Sequence, residues 1–494
     1  MNVLLIYPKY PTTTFWSFSG ALRYISRKAA FPPLGLLTIA SILPTEWAKK
    51  LADENVAPIT DSQLAWADMV FVSAMIVQKS SALAVIERCK AFGKTVVAGG
   101  PLFNAEPEKF PEVDHLVLGE AEVTLPLFLE DLASGSAKHK YSSGLRPDIT
   151  ATPLPMWALI RLKDYATMLV QYSRGCPYDC EFCDITVMNG RVPRVKTPRQ
   201  MMAELQLLFD LGYRGAVFVV DDNFIGNKRA VKQMLVELVA WQKRHRYPFK
   251  FFTEASVNLA DDDELLGLMS LANFGDVFLG LETPCMDSLK EAGKTQNTSR
   301  DLREAVIKIQ RRGLHVMGGF MVGFDNDKAE TIFRDQFEFI QAIGVPMAMV
   351  GIVMAIPGTR LWHRLRAEGR LLLEANGDNT SGQVNFLPTM GLEKLVKGHR
   401  ELLLALFSAK SYFARIETLI KNYRPKTRST HLSWNELLAV VKSLWFIGIW
   451  SGANWRYWKL LIKTSGNLRA FPVVVKNVIY WDHLHRVARS VQSN

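Results

Sequence analysis

Cys176, Cys180 and Cys183 form a C-x3-C-x2-C array in the stretch VQYSRGCPYDCEFCD (170–184), directly after an apolar run, 168–170, that reads as a strand. Three of the chain's five cysteines thus fall within eight residues. Three thiolates on one short loop suit a 4Fe-4S cluster and leave one iron without a protein ligand. Zinc would be one ligand short, with no histidine nearby to complete its tetrahedron. The bland alternative is three apolar cysteines that happen to cluster. Cys285 lies too far from the triplet to assign as a fourth ligand, and Met286 beside it suggests packing. Cys89, on a helical stretch, reads as core.

The elements around this loop alternate. Strand-like runs fall at 168–172, 216–220, 249–253, 277–281, 316–322 and 348–354, and helical stretches at 198–211, 229–245, 261–271, 298–312 and 328–343 lie between them. Chemistry in such barrels gathers at the carboxyl ends of the strands. Those ends carry Arg174-Gly175, then Asp221-Asp222-Asn223-Phe224, Glu254, Glu282, the glycine-rich 318–324 and Ile356-Pro357-Gly358-Thr359. Two adjacent carboxylates are costly to bury unpaired. One of Asp221 and Asp222 is therefore expected to face the cavity as a catalytic residue, with helix capping by Asp222 or Asn223 as the alternative. Arg174 either orders the loop or touches a ligand. Gly318 and Gly319 either pass beside a ligand or only relieve crowding.

Ahead of this region, apolar runs at 3–7, 69–75, 95–98 and 115–118 alternate with helical stretches at 31–43 and 81–92. Strands without polar alternation imply a parallel sheet covered on both faces. Ligands bind beyond the carboxyl ends of such strands, so the loops after Tyr7, Met75 and Ala98 are the candidates.

The triplet, with Phe182 just before its last cysteine, resembles the signature of radical S-adenosylmethionine enzymes, and what flanks it resembles the subgroup with an N-terminal cobalamin-binding domain. The resemblance runs from Met1 to roughly Pro425 and is similar to the hopanoid C-2 methylase and the bacteriochlorophyllide methylases. It implies an α/β chain: a Rossmann-like cobalamin-binding domain at 1–150, a partial (β/α)6 barrel at 151–368, a lid and helical extension at 369–425, and a basic aromatic helical tail at 426–494. It implies three cofactors: a 4Fe-4S cluster on Cys176, Cys180 and Cys183, S-adenosylmethionine on its open iron, and cobalamin. Ile185, Glu254, Glu282, Gly319, Gly323 and Ile356 would surround S-adenosylmethionine, and Ser73, Gln78, Gly99 and Gly100 would meet the corrin. The family's Asp-x-His-x-x-Gly cobalamin motif is absent, and the first histidine is His115. A Rossmann-like domain without corrin is the alternative.

At 494 residues, two or three domains are expected, and 48% apolar against 22% charged residues describes a folded chain. Exposed sulfur ligands imply a reducing interior, and MNVLLIYPKYP reads as an opening strand rather than a signal peptide. The expected localisation is cytoplasmic. Net charge of +11 favours an anionic surface. Segment 374–386 reads as a loop near the barrel mouth, a substrate lid, and 390–413 as helical.

Six of the 12 tryptophans (Trp434, Trp445, Trp450, Trp455, Trp458, Trp481) lie in the tail, mixed with Lys442, Arg456, Lys459, Lys463, Arg469, Lys476, Arg486 and Arg489 against Glu436 and Asp482. Leu444 to Trp450 is too short to span a bilayer. Two readings stand: an anchor at the inner face of the cytoplasmic membrane, or a helical cap whose aromatics pack on the barrel. No nucleic-acid-binding module is found, so nucleic acid is not an expected partner.

The resemblance implies the reaction: an electron from a flavodoxin- or ferredoxin-like donor, reductive cleavage of S-adenosylmethionine, hydrogen abstraction by a 5'-deoxyadenosyl radical, and methylcobalamin as methyl donor. The expected substrate is apolar and lipid-like or a tetrapyrrole. A radical cyclase, oxidoreductase or coupling enzyme is the alternative, and an interface-bound scaffold with a structural cluster is a third reading.

Overall fold

A computed structural model describes residues 1–379, 381–424, 434–451, 453–465 and 470–493. Arg469, and the side chains of Trp434 and Glu436, lie outside the described residues.

Two six-stranded parallel sheets organise the molecule. The first contains β1 (Asn2–Tyr7), β2 (Ala48–Asp53), β3 (Met69–Ser73), β4 (Thr95–Gly99), β5 (His115–Val117) and β6 (Lys140–Tyr141), in the order β2-β1-β3-β4-β5-β6. Its central strands are buried throughout, Val3 to Ile6 and Val70 to Val72 among them, and separate apolar clusters cover the two faces. That is why they read as unbroken apolar runs. The edge strand β2, AKKLAD, was not expected: only Ala52 and Asp53 of it are buried, and Lys49 and Lys50 conceal its pattern.

The second sheet contains β7 (Met168–Val170), β10 (Gly215–Val219), β11 (Phe249–Ala255), β12 (Phe274–Glu282), β13 (His315–Val322) and β14 (Ala348–Ile352), in the order β14-β13-β12-β11-β10-β7. Helices follow the strands from outside, Pro198–Asp210 and Lys228–Arg244 among them, giving the expected partial barrel. Between β7 and β10, β8 (Ser173–Arg174) and β9 (Arg194–Val195) pair antiparallel and close the base of the cysteine loop.

The span 390–413 is two helices, Leu392–Leu406 and Ala409–Asn422. The break falls where the Ser408 side chain caps the second by accepting from the Ser411 N–H. Segment 374–386 bridges the two sheets. The Asn379 carbonyl accepts from the Ile352 N–H at 2.9 Å, Asn385 pairs with both backbone groups of Ala355, and Glu374 pairs with Lys79 at 2.7 Å.

The tail is helical: Trp434–Phe446, Asn454–Thr464 and Phe471–Ser493. The last helix is a cap. Trp481 is buried and donates its indole N–H to the Phe407 carbonyl at 3.0 Å, and Asp482 pairs with Arg23 at 2.6 Å. The other two helices and the turn between them leave Trp445, Trp450, Trp455 and Trp458 exposed. Among the described residues no helix is long and apolar enough to cross a membrane.

Candidate active site

The cysteine loop leaves β8, returns through the short helix Ile185–Met188 and is held from below by the Asp221-Asp222 pair. Asp221 is buried; its carboxylate accepts from the Tyr172 N–H at 2.7 Å and the Ser173 hydroxyl at 2.6 Å. Asp222 accepts from the Gly175 N–H at 2.8 Å and the Asn189 amide at 2.9 Å. Burial pushes Asp221 up to about 7 and also raises Asp222. Both carboxylates are turned to the loop's backbone and not into a cavity, so they position the loop where a catalytic role was expected. The expected capping alternative also yields: Asn223 donates towards the Cys176 sulfur, 3.7 Å away, and accepts from the Ser256 N–H at 3.2 Å.

None of the three cysteines is in a disulfide; Cys180 is buried and the others are half-buried. Burial pushes the Cys176 and Cys183 thiols up. Bound iron would ionise them, because a coordinating metal supplies the charge that burial denies. The donor set fits an iron–sulfur cluster. Gln296 donates towards the Cys180 sulfur, 3.7 Å away, as Asn223 does towards Cys176. Among the described residues no three His, Cys, Asp or Glu side chains converge on one ion's position. A cube that takes one thiolate on each of three irons imposes no such convergence. Lys294, on the segment after β12, sits over the Phe182 ring at 5.7 Å and forms a buried ion pair with Glu282. Its ammonium pKa is raised despite burial, by Glu282 and by the neighbouring Cys180 and Cys183.

Glu282 was expected to hold S-adenosylmethionine, and its carboxylate is paired with Lys294. Its backbone is left-handed at φ 61°, held by the Gln336 amide donating to its carbonyl at 3.2 Å. Glu282 and Gly319 still line a cavity of about 190 Å³ inside the barrel, with Phe15, Phe182, Phe278 and Asn379. Glu254 differs: its carboxylate has no hydrogen-bond or ion-pair partner among the described residues, and burial, aided by Asp222, pushes it up to about 7. Gly323 lies away from both cavities. Its φ of 104° starts a turn whose N–H groups, at Gly323 and Phe324, bond to Asp327 at 2.8 and 3.1 Å. Ile185 opens the helix after the triplet and accepts from the Asn189 N–H at 2.7 Å.

A second cavity, about 890 Å³, lies between the two sheets. The first sheet contributes Ser73, Gly99, Gly100 and Gly119 at strand ends, and the barrel side contributes Gln171, Arg174, Asp184 and Ile356. Gly99 has no room for a Cβ, which would meet the Val117 carbonyl oxygen at 2.6 Å. Gly100 has φ 94°, and a Cβ there would meet the Ser73 hydroxyl at 2.6 Å. At Gly35 and Gly144, also on this wall, nothing lies within 4 Å of where a Cβ would stand. A wall of strand-end loops poor in side chains suits a broad, flat ligand such as a corrin. No histidine is among the described residues lining it. Gln78 is not there either. It is buried, its amide donating to the Pro8 carbonyl and its oxygen accepting from the Met75 N–H at 2.8 Å, which closes the loop after β1.

Arg174 links the two sheets. It pairs with Glu120 at 2.8 Å and Glu122 at 2.7 Å, and Arg194 pairs with Glu120 at 2.7 Å. Lys196 and Glu204 form a second, fully buried pair on the cavity wall. Lys294, Gln296, Glu120 and Arg194 carried no signal in the sequence, because each reaches the site from an element unrelated in spacing to the triplet.

Residues 170–335 match the model of the radical SAM superfamily, and 359–494 match a domain of unknown function, DUF4070. The chain is 43% identical over 488 residues to an uncharacterized methyltransferase of Synechocystis sp., covering 97% of this chain and 90% of that protein. It is 33% identical over 475 residues to the hopanoid C-2 methylase of Rhodopseudomonas palustris, covering 94% of this chain and 89% of that one. Its fold is similar to the radical S-adenosylmethionine methyltransferase TsrM from Kitasatospora setae, solved with cobalamin and a 4Fe-4S cluster bound, with a TM-score of 0.66 at 13% identity over 100% of this chain and 99% of that one. With its cysteine loop at the mouth of a partial barrel beneath a parallel-sheet unit, the chain belongs to the cobalamin-binding radical S-adenosylmethionine enzymes related to the hopanoid and bacteriochlorophyllide methylases.

Proposed function

We propose that the chain is a cobalamin-dependent C-methyltransferase acting on an apolar substrate, lipid-like or tetrapyrrole. The observation that carries this is the 890 Å³ cavity enclosed between the strand ends of the first sheet and the cysteine-loop side of the barrel. A corrin held there faces the space in which a substrate radical would form. The names of the relatives, a hopanoid methylase and bacteriochlorophyllide methyltransferases, support the apolar substrate.

In this reading the cluster supplies an electron for cleaving S-adenosylmethionine, and cobalamin supplies a transferable methyl group. The protein's part is alignment. Cys176, Cys180 and Cys183 would hold the cluster, and the iron they leave without a protein ligand would be open to S-adenosylmethionine. Glu254 takes the ammonium or the ribose hydroxyls, a role that suits a carboxylate with no protein partner. Ile185 and Gly319 flank the ligand with backbone, and Glu282, held by Lys294, keeps the charge around the cluster balanced. Ser73, Gly99 and Gly100 line the corrin side, and Ile356, expected beside S-adenosylmethionine, lines the same cavity from the barrel. Phe15, Phe182 and Phe278 wall the barrel cavity with carbon and exclude water.

The test is anoxic reconstitution with iron, sulfide, cobalamin and a reducing flavodoxin or ferredoxin, followed by incubation with host lipids and pigments. The expected result is S-adenosylhomocysteine with a product heavier by one methyl group. 5'-Deoxyadenosine without S-adenosylhomocysteine would instead support oxidation, coupling or cyclisation, the last named for a relative 24% identical, an anaerobic magnesium-protoporphyrin IX monomethyl ester cyclase.

A further inference from the structure

The helices Trp434–Phe446 and Asn454–Thr464 bury one side and leave the other bare. Leu437, Val441 and Trp445 recur every four residues along the first and are exposed. Trp455, Trp458 and Ile462 do the same on the second at spacings of three and four. The turn between them adds Ile449 and Trp450. The two stripes form one patch: the Trp445 and Trp450 rings lie 6.3 Å apart, and the Trp458 indole donates to the Gly448 carbonyl at 2.9 Å. Below it the helices are locked together by the buried Ser443–Tyr457 hydroxyl contact at 2.7 Å. Trp450 is 72% exposed and Ile462 73%, so these side chains do not pack on the barrel. Contiguous exposed apolar surface of this kind marks an interaction site.

The charge around the patch selects its partner. From Trp445 to Thr464 the chain has no acidic residue and three basic ones, Arg456, Lys459 and Lys463. Lys463 pairs with Glu417 at 2.8 Å, whereas Arg456 and Lys459 are exposed with no ion pair among the described residues. Indole rings beside unpaired cations match the boundary of an anionic bilayer: the ring at headgroup depth, the cation against lipid phosphate.

We propose that this two-helix face docks the enzyme on an anionic phospholipid surface. The face adjoins the barrel through the N-terminal segment. Phe446 packs edge-on against Tyr24 at 5.9 Å, and Phe15, from the same segment, walls the barrel cavity. Docking would therefore present the cavity to a substrate dissolved in lipid; that last step rests on the apolar-substrate reading, and the docking face does not.

The experiment is flotation of the full-length, cluster-loaded protein with phosphatidylcholine vesicles, with and without phosphatidylglycerol, at low and high salt. Binding is expected only to vesicles containing phosphatidylglycerol, weakening as salt rises. The pair Arg456→Gln/Lys459→Gln is expected to lower affinity roughly 25-fold, since each cation near such a surface is worth about a factor of five. Trp450→Ser/Ile462→Ser is expected to abolish binding, while S-adenosylmethionine cleavage in solution and the thermal midpoint stay unchanged. That separates failure of docking from failure of the proposed reaction. Equal binding to neutral vesicles, variants that bind like the parent, or a concentration-dependent dimer that Trp450→Ser dissolves in a protein that ignores vesicles would each overturn the proposal.

Discussion

Of the four acids placed at the barrel's strand ends, three are occupied by the protein: Asp221 and Asp222 by the cysteine loop, Glu282 by Lys294. Glu254 is left over, and its elevated pKa is the consequence of burial without a partner. The sign of its effect on stability follows. The folded chain holds the Glu254 proton up to about pH 7, the unfolded chain only to about 4.5, so stability falls as pH rises through that window. Glu254→Gln is therefore expected to stabilise the ligand-free protein at pH 8 by on the order of 2 kcal/mol and to change nothing at pH 4. Urea unfolding at the two pH values checks it; a gain at pH 4 equal to that at pH 8 would contradict the account. The same substitution is expected to weaken S-adenosylmethionine binding, because the partner the carboxylate awaits is gone. Asp222→Ala acts on the loop instead. It leaves the Gly175 and Asn189 donors unpaired, at a cost of about 1–3 kcal/mol. Faster loss of iron to a chelator than in the parent protein is the expected readout.

At the scale of elements, what the sequence disclosed depends on how locally each feature is encoded. Buried parallel strands announce themselves because both faces are apolar, and the three cysteines sit on one loop, so spacing alone exposes them. The edge strand β2 does not: its two lysines break the apolar pattern, and only pairing with β1 makes it a strand. Asp221 and Asp222 were legible as costly to bury, but adjacency says nothing about which way two carboxylates turn, and the loop's free N–H groups decided it. Gln78 was placed by proximity to a strand end, yet an amide beside the open Pro8 carbonyl is drawn to the backbone. Lys294 and Gln296 come from a turn and a short helix after β12, and only the closing of the barrel brings them to the sulfurs. Gly99 and Gly100 were expected to meet the corrin, and what leaves no room for a side chain at either position is the protein itself. Gly100→Ala meets two obstacles together, φ 94° and the Ser73 hydroxyl at 2.6 Å. The strained backbone alone costs about 1–3 kcal/mol. A lowered thermal midpoint with reduced cobalamin retention and unchanged iron content is expected, since the distortion falls on the first sheet and not on the cysteine loop.

At the scale of the whole molecule the two sheets must keep register across a cavity wide enough for a corrin, and few apolar contacts can do that across open space. The Glu120–Arg174–Glu122–Arg194 cluster does it with charge. Glu120 lies in the loop past β5 of the first sheet, Arg174 belongs to β8 and Arg194 to β9, so one carboxylate grips both strands that close the base of the cysteine loop. The side chains are largely buried, with Glu120 10% and Arg174 14% exposed, so each guanidinium depends on a carboxylate for its counter-charge. Removing one partner of such a network is strongly destabilising, about 3–5 kcal/mol, because the remaining charges stay buried and uncompensated. Glu120→Ala leaves Arg194 with the Pro147 and Asn189 carbonyls and no counter-charge, and leaves Arg174 with Glu122 and the Gln171 amide oxygen. The mechanical consequence is specific: β8 and β9 lose their tether to β5 while every cysteine and every glycine stays in place. Hydrogen exchange is expected to quicken at the backbone amides of 173–175 and 194–195, with β10 and β11 unaffected. Iron and cobalamin are each expected to bind still, while the yield of methylated product per S-adenosylmethionine cleaved falls, because the radical forms where the corrin is no longer aligned. Glu120→Gln keeps the hydrogen bonds without the charge and should fall between. If Glu120→Ala lowers cleavage and methylation by the same factor, the cluster holds only the fold together and does not set the register between the two halves.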